Sequence, residues 1–417
     1  MVIRFTSNSE KMVMRIAVIG AGVSGLVAAY RLAPQHDVVV LEAGAYAGGH
    51  TNTVDVDGLA VDTGFIVLND RNYPGFTALL DELGVPTQAS DMSFGVSDGE
   101  DFEYAGHSPL ALYANPRHLV DRGFQRMVGE YVRFNRAARA LMAGDADPSL
   151  NEWLRELRFS QAFVDKLIVP QAAAVWSADP EQMWTFPARF LVEFFDNHGM
   201  LGFRGRPQWR TVVGGSREYV RALTRDLDVR LDAPVRSVER FADRVEVDGA
   251  PFDHVVLATH SDQALAVLAD PSDAEREILG AIPYQANEAV LHTDRSVMPN
   301  RRRAWASWNY HLGFTGPSTV TYWMNRLQGF APTQPTDYFV TLNRTRDIDP
   351  AKTIRVIAYA HPVYTSAGRR AQARHGEISG VERTHYCGAY WAWGFHEDGV
   401  QSALRVVRDL RPVRELV

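Results

Sequence analysis

Apolar positions change their period along this chain, and the changes divide it. Ile16 to Ile19 form a short uninterrupted apolar run, the pattern of a strand buried on both faces of a parallel sheet. From Ser24 to Leu32 the period turns helical, with Leu26, Ala29, Tyr30 and Leu32 available for a buried stripe. Asp37 to Leu41 is strand-like again and ends at Glu42. Strand, helix and strand in that order predict a parallel βαβ unit. Residues 76–207 carry mostly helical patterns, with amphipathic stretches at 74–85 and 122–142 and a polar break at 145–151 that contains Pro148. Over 282–362 the positions alternate with period two, most clearly at 318–324, 337–343 and 353–360, and predict strands. The apolar stretch from Ile16 to Ala33 holds three glycines and Arg31 and lacks a cleavage-site pattern, so it reads neither as a signal peptide nor as a membrane span. No other run approaches the roughly 20 apolar residues of a spanning helix, and no internal repeat stands out.

Composition narrows the class. At 417 residues the chain exceeds the size at which a single core keeps growing, so two domains are expected. A hydrophobic share of 46% and a net charge of -7 describe a globular protein without the basic surface that nucleic acid needs. Lysines are scarce: only Lys11, Lys166 and Lys352 occur. The one cysteine, Cys387, excludes an intramolecular disulfide and a cysteine-based zinc site, and it fits a reducing, cytoplasmic location. Residues 1–13 are polar and mixed and read as a flexible tail, with Met14 an alternative start.

The loop inside the βαβ unit carries the first chemistry. Gly20, Gly22 and Gly25 have the G-x-G-x-x-G spacing directly between strand and helix. Gly20 permits the tight turn, Gly22 lets a pyrophosphate approach the backbone, and Gly25 allows close helix–strand packing. The helix start then points unpaired N–H groups at a diphosphate. Glu42 follows Gly20 by 22 residues, close to the ~20 expected for a ribose-binding carboxylate, and disfavours a 2′-phosphate.

Beyond Glu42, Gly48-Gly49 and the segment VDTGF at 61–65 resemble the flavin amine oxidase and phytoene desaturase superfamily. The resemblance implies FAD as cofactor, held by Gly20, Ala21, Gly22, Ser24 and Gly25, by Glu42 and Ala43, and by Gly48, Gly49, His50 and Thr51. It also implies that the chain at Gly64 and Phe65 passes beside the isoalloxazine ring. The stretch APVRSV at 233–238 resembles the strand whose backbone at Val235 meets adenine, and DHVVLAT at 253–259 the strand that brings Ala258 and Thr259 to the diphosphate. Residues 386–407 resemble the closing FAD motif, in which Gly388 precedes a helix whose start (His396, Glu397, Asp398, Gly399, Val400) faces the flavin. A bacterial subgroup of FAD-dependent oxidoreductases is similar throughout, sharing signatures like those at 61–69, 211–220 and 394–404. The implied fold is α/β, with a discontinuous Rossmann-like FAD domain at 14–75, 208–268 and 380–412. An α+β substrate domain would fill 76–207 and 269–379. Gly214-Gly215 lack the triplet spacing, so no second dinucleotide unit is expected. That tips the chemistry from reductase toward oxidation of a substrate, with oxygen, a quinone or another carrier as acceptor.

A flavin transfers hydride itself, so the protein has to position the substrate and tune the ring. Tyr390, Trp393 and His396 are the candidate catalytic residues. In amine oxidases two aromatic side chains stand above the flavin, a role open to Tyr390 and Trp393, although core packing is equally open. For His396, cofactor positioning is favoured over action as a base. Glu397 and Asp398 are also what a helix dipole attracts at its start. Cys387 leaves a flavin thioether open, with an inert buried thiol the favoured reading. Amine oxidases often keep a lysine near the flavin, but neither Lys166 nor Lys352 lies in such a context. The histidines show no metal-ligand spacing, so no metal is expected. Trp176, Trp184, Phe186, Phe190, Phe194 and Phe195 read as core, with an apolar substrate tunnel the alternative. Three functions stay open: a dehydrogenase or desaturase of an apolar, fatty-acyl or lipid substrate, an amine oxidase releasing hydrogen peroxide, and a non-redox flavoprotein or isomerase. The first draws on related bacterial enzymes thought to work beside cyclopropane-fatty-acid-type methyltransferases. The partners expected are a small apolar substrate and an unknown electron acceptor, with peripheral membrane contact left open.

Overall fold

A computed structural model describes residues 13–177, 179–202, 205–331 and 334–410. The expected tail at 1–13 thus lies outside the described residues except for Val13, as do positions 411 and 412 at the end of the last expected segment. The chain forms two compact units. The first takes its described residues from 13–49, 220–280 and 374–410, the second from 50–219 and 281–373.

The first unit is built on a five-stranded sheet in the order Asp228–Arg230, Asp37–Leu41, Arg15–Ile19, His254–Leu257, Thr384–Tyr386. Every pair is parallel, and Ile16 lies level with Val38 on one side and His254 on the other. The two central strands have fully buried interiors, which is why they read as unbroken apolar runs. Helices Val23–Leu32 and His396–Leu410 pack together in this unit. A small antiparallel sheet joins Val238–Arg240, Val245–Val247 and Ala250–Phe252.

The strand expected over 233–238 begins only at Val238. Pro234 has no N–H to give a ladder, so the chain before it runs irregularly. Ala233 still donates its N–H to the Glu42 carbonyl at 2.9 Å, which keeps this segment beside the end of the second strand.

The second unit centres on a seven-stranded sheet. Its order is Thr353–Pro362, Tyr284–His292, Phe339–Leu342, Val320–Trp323, Trp308–His311, Phe94–Ser97, Glu103–Ala105. All its pairs are antiparallel except Trp308–His311 with Phe94–Ser97. The three alternating stretches expected as strands are all present. The helical stretches appear as Pro74–Leu83 and Arg122–Ala143, and the polar break ends in a capping box in which Ser149 and Glu152 bond each other's backbone N–H.

Residues 50–75 and 208–219, grouped by sequence with the nucleotide segments, pack in the second unit, and 269–280 and 374–379, grouped with the substrate domain, pack in the first. Local pairing accounts for this. Strands Thr53–Val56 and Leu59–Asp62 form a hairpin with each other, through a turn at Asp57 and Gly58 that both have positive φ, as a two-residue Asp-Gly turn requires. Leu68–Asn69 and Thr87–Ala89 both pair with Trp209–Val212. The aromatic cluster packs as core: Trp176 lies 5.0 Å from Phe186, 5.8 Å from Phe190 and 4.9 Å from Phe194, ring to ring, all four buried.

Candidate active site

In the first unit two glycine turns meet at the carboxyl end of the parallel strands. Gly20 adopts φ +102°, and a Cβ there would stand 2.8 Å from the Ala258 carbonyl oxygen. A Cβ on Gly25 would fall 1.9 Å from the Gly20 carbonyl oxygen, so only glycine lets this helix sit so close to its strand. At Gly22 nothing lies within 4 Å of a Cβ position, and the backbone faces open space. The second turn packs on the first. Gly48 donates its N–H to the Ala21 carbonyl at 2.8 Å, and a Cβ on Gly49 would lie 3.2 Å from Gly22 Cα. Glu42 stands beside both, its carboxylate accepting the N–H groups of Ala21 at 2.7 Å and Gly44 at 2.8 Å, with Ala43 exposed next to it. Thr259 and Ala258 are half-buried after the strand His254–Leu257, and Val235 is half-buried beyond Ala233.

The C-terminal segment joins this corner. Cys387 donates its N–H to the Leu257 carbonyl at 3.1 Å, and Gly388 donates to Ser402 Oγ at 3.1 Å. Tyr390 folds back over Gly388, where a Cβ would meet its ring at 2.3 Å. The helix from His396 then crosses the first helix at Gly399. A Cβ there would stand 2.8 Å from both Ser24 Oγ and Val23 Cγ1, so the first turns of the two helices touch. Two helix starts side by side bring two positive dipole ends to one place.

Burial sets the charges here. It pushes His396 down to about 3, so the imidazole is neutral. It pushes Asp398 up to about 7, against the pull of the Phe395 N–H that its carboxylate accepts at 2.9 Å. Asp398 therefore caps its own helix start, and Glu397 accepts from Gln401 Nε2 at 2.7 Å. Cys387 is fully buried and its thiol is pushed up to about 12, the state of an inert thiol. Tyr390 is 3% exposed and packs on Trp391, while Trp393 is half-buried.

The remaining expected residues sit in the second unit. The His50 carbonyl accepts the Phe65 N–H at 2.8 Å, and a Cβ on Gly64 would collide with that carbonyl at 2.1 Å. Thr51 shares a 2.5 Å hydroxyl contact with Tyr219, and Phe65 meets Phe76 edge to face. Asp62 anchors this segment. Fully buried, its carboxylate accepts from Thr53 Oγ1 at 2.6 Å, the Ser216 N–H at 2.9 Å and Gln328 Nε2 at 3.0 Å. Burial pushes it up to about 7 even so.

Sequence reasoning missed Tyr359, His361 and Asn287. The ring of His50 stacks on Tyr359 at 5.0 Å and stands 5.3 Å from His361, and the Tyr359 hydroxyl lies 3.3 Å from Thr63 Oγ1. The available signal was the alternation at 353–360, which puts Tyr359 and His361 on one face of one strand. Opposite them in register stand Asn287 and Gln285. Both described lysines are engaged elsewhere: Lys166 lies over the Phe102 ring at 4.0 Å, and Lys352 bonds Asp294 at 3.0 Å. Among the described residues no cluster of His, Cys, Asp and Glu could hold a metal, and no helix is long and apolar enough to cross a membrane.

Comparison with known proteins agrees with this geometry. Residues 23–350 match the family model of flavin containing amine oxidoreductases. Protoporphyrinogen oxidase 2 of Arabidopsis thaliana is 31% identical over 190 residues, 43% of this chain and 36% of that protein. A 4,4'-diapophytoene desaturase of Staphylococcus aureus is 44% identical over 68 residues, 16% of this chain and 14% of its own length. The matched part thus spans about a third or less of these curated relatives. Cyclohexylamine oxidase from Brevibacterium oxydans superposes with a TM-score of 0.66 at 15% identity, over 96% of this chain and 100% of that one, which shows a shared fold. The family match places the chain in the class of flavin-containing oxidoreductases. The chain belongs to the flavin containing amine oxidoreductase family, with FAD as its cofactor. The residues present fit that group: open backbone at Gly22, paired helix starts for a diphosphate, and Glu42 beside the loop.

Proposed function

We propose that this protein is an FAD-dependent dehydrogenase or desaturase acting on an apolar substrate of the fatty-acyl type. When bound, the flavin supplies the hydride acceptor. Ala21, Gly22, Ser24 and Gly25 would hold the diphosphate with Gly20, Gly48 and Gly49 shaping the cradle. Glu42 with Ala43 would take the ribose, Val235 the adenine, and Ala258 and Thr259 the edge of the diphosphate. Gly388 and the helix start from His396 through Glu397, Asp398 and Gly399 to Val400 would receive the flavin end. His50, Thr51, Gly64 and Phe65 are the remaining candidate FAD contacts. Tyr390 and Trp393 would orient substrate, and the neutral His396 would position the ring.

One observation carries the apolar reading. On the sheet face that bears Tyr359 and His361, the residues paired across the two strands are Gln285, Asn287, Ala289, Leu291, Arg355, Ile357, Tyr359 and His361. Cross-strand partners share a face, and this one holds no carboxylate; the charged residue among these pairs is a cation, Arg355, four residues before Tyr359. Lys352 precedes the same strand, seven residues before Tyr359 and roughly 23 Å away at the rise of an extended strand. An ammonium substrate finds no counter-charge on this face, whereas an acyl chain needs none. The single buried thiol supports a reducing, cytoplasmic setting.

The test is anaerobic titration of the holoprotein while the visible absorbance of the flavin is followed. Acyl lipids should bleach it. If polyamines or aromatic amines bleach it and acyl lipids do not, the reading is wrong, and the family's own amine chemistry, with peroxide released in air, takes its place.

A further inference from the structure

From the face that bears Tyr359 runs a chain of amides whose hydrogen-bond directions are all determined. It starts on backbone. The Glu288 N–H donates to Asn343 Oδ1 at 2.9 Å, so the other end of that amide is Nδ2, which donates to the Ser318 carbonyl at 3.0 Å and to Asn287 Oδ1 at 2.8 Å. Asn343 can turn its amide this way because it adopts φ +57°, a left-handed conformation that asparagine tolerates. Gln285 is fixed in the same manner: it accepts the Asp179 N–H at 3.2 Å and donates through Nε2 to the Ser177 carbonyl at 2.6 Å and to Asn287 Oδ1 at 3.2 Å. Two donors converge on Asn287 Oδ1, which leaves its Nδ2 to face His361 Nδ1 at 3.1 Å. Nδ2 is a donor only, so His361 Nδ1 accepts and the proton of the neutral ring sits on Nε2. A proton on Nδ1 would set N–H against N–H. Asn287 is 4% exposed and bonded on both sides, so it cannot flip without breaking the chain. The Glu288 side chain bonds Thr345 and, one residue out of phase with Asn287, lies on the opposite face of the sheet.

We propose that His361 is a neutral Nε2–H donor to an acceptor oxygen at the polar end of the substrate (a carbonyl, ester or amide oxygen), and that Asn287 is the positioning residue that selects this tautomer. This rests on the reading that the face carrying His50, Tyr359 and His361 receives an acyl substrate. A neutral N–H donor favours an oxygen lone pair and offers nothing to an ammonium group, so the tautomer acts as a filter between the two substrate classes.

Two measurements on the holoprotein test it. With 15N-labelled histidine, the His361 ring, assigned by its loss in His361→Gln, should show a bare Nδ1 and a protonated Nε2. In Asn287→Asp the carboxylate accepts where the amide donated, and Nδ1 should become protonated. A protonated Nδ1 in the unmodified protein overturns the proposal. Binding is then read from perturbation of the flavin spectrum by decanamide, which carries a carbonyl, and by decylamine, which carries an ammonium. His361→Phe keeps the stacked ring and loses the donor, and should weaken decanamide about fivefold, the scale of one neutral hydrogen bond. His361→Gln, with an amide N–H, should restore much of that loss, and decylamine should respond to neither change. Equal decanamide binding by the unmodified protein and His361→Phe overturns the role of His361 alone. No decanamide binding to the unmodified protein overturns the acyl reading of this face together with the proposal.

Discussion

At the scale of single residues, Asp62 shows how a site segment is held by one buried acid. Its two oxygens are surrounded by donors from Thr53, Ser216 and Gln328, and the amide of Gln328 is itself oriented because its Oε1 accepts the Asp62 N–H at 3.0 Å. Asp62→Asn would put an NH2 group against at least one of these donors. We expect a loss of about 1–3 kcal/mol of unfolding free energy, the cost of a buried polar group left unmatched. Chemical denaturation measures it, and an unchanged midpoint would refute the hub. Gly25 makes a sharper case. Gly25→Ala forces a methyl onto the Gly20 carbonyl, and purified protein should carry little or no FAD by its visible spectrum. Such glycines were readable from sequence because their reason is local: spacing fixes which backbone atoms crowd. Tyr359, His361 and Asn287 were not, because the partners that join them to other elements lie 56 to 311 positions away and only the fold brings them together. The alternation at 353–360 puts Tyr359 and His361 on one face but does not show what stands opposite them.

At the scale of elements, period carried most of the information. The βαβ unit, the long helix at 122–143 and the strands at 320–323, 339–342 and 353–362 follow from hydrophobic spacing alone. Two features did not. The strand that resemblance implied at 233–238 begins only at Val238, because Pro234 cannot join a ladder. A π-helical turn at Val164–Ile168 was also missed, and it has a backbone cause. Pro170 offers no N–H to the Lys166 carbonyl four residues back, and its ring crowds that carbonyl, so the helix widens ahead of it. The buried Tyr104 hydroxyl, reaching in from the sheet edge, donates to the Lys166 carbonyl at 2.8 Å. Tyr104→Phe should therefore cost about 1 kcal/mol. In a Pro170→Ala background the restored N–H can serve the same carbonyl, and the cost should shrink. Equal costs in both backgrounds, by urea denaturation, would mean that the hydroxyl does not substitute for the missing N–H.

For the whole molecule, the response to acid follows from what is buried neutral. Burial holds His198, His292 and His385 at about 4, and His311 and His396 at about 3, below the ordinary 6.5. A histidine lowered in the folded state contributes stability that is complete above 6.5 and is lost as pH falls toward its folded value. Asp62 and Asp398, raised from 3.8 to about 7, act in the opposite sense, with stability present at low pH and lost as pH rises through 7. Between about pH 4 and 6.5 the two sets oppose, and five groups outweigh two. The histidine side also has a structural amplifier. The Asp294 N–H donates to His292 Nδ1 at 3.0 Å, so His292 Nε2 carries a proton toward Thr341 Oγ1 at 2.7 Å. Thr341 then bonds Thr321 at 2.8 Å, and Thr321 meets His311 Nε2 at 2.9 Å. The directions propagate across the middle of the large sheet, and one added proton on His311 reverses a bond that the whole row depends on. We expect the melting temperature of the holoprotein to fall by several degrees from pH 7 to pH 5, and Thr321→Val, which cuts the row, to flatten that dependence while lowering stability at pH 7. A melting temperature that rises on acidification would mean that the raised carboxyls, not the buried imidazoles, govern the fold.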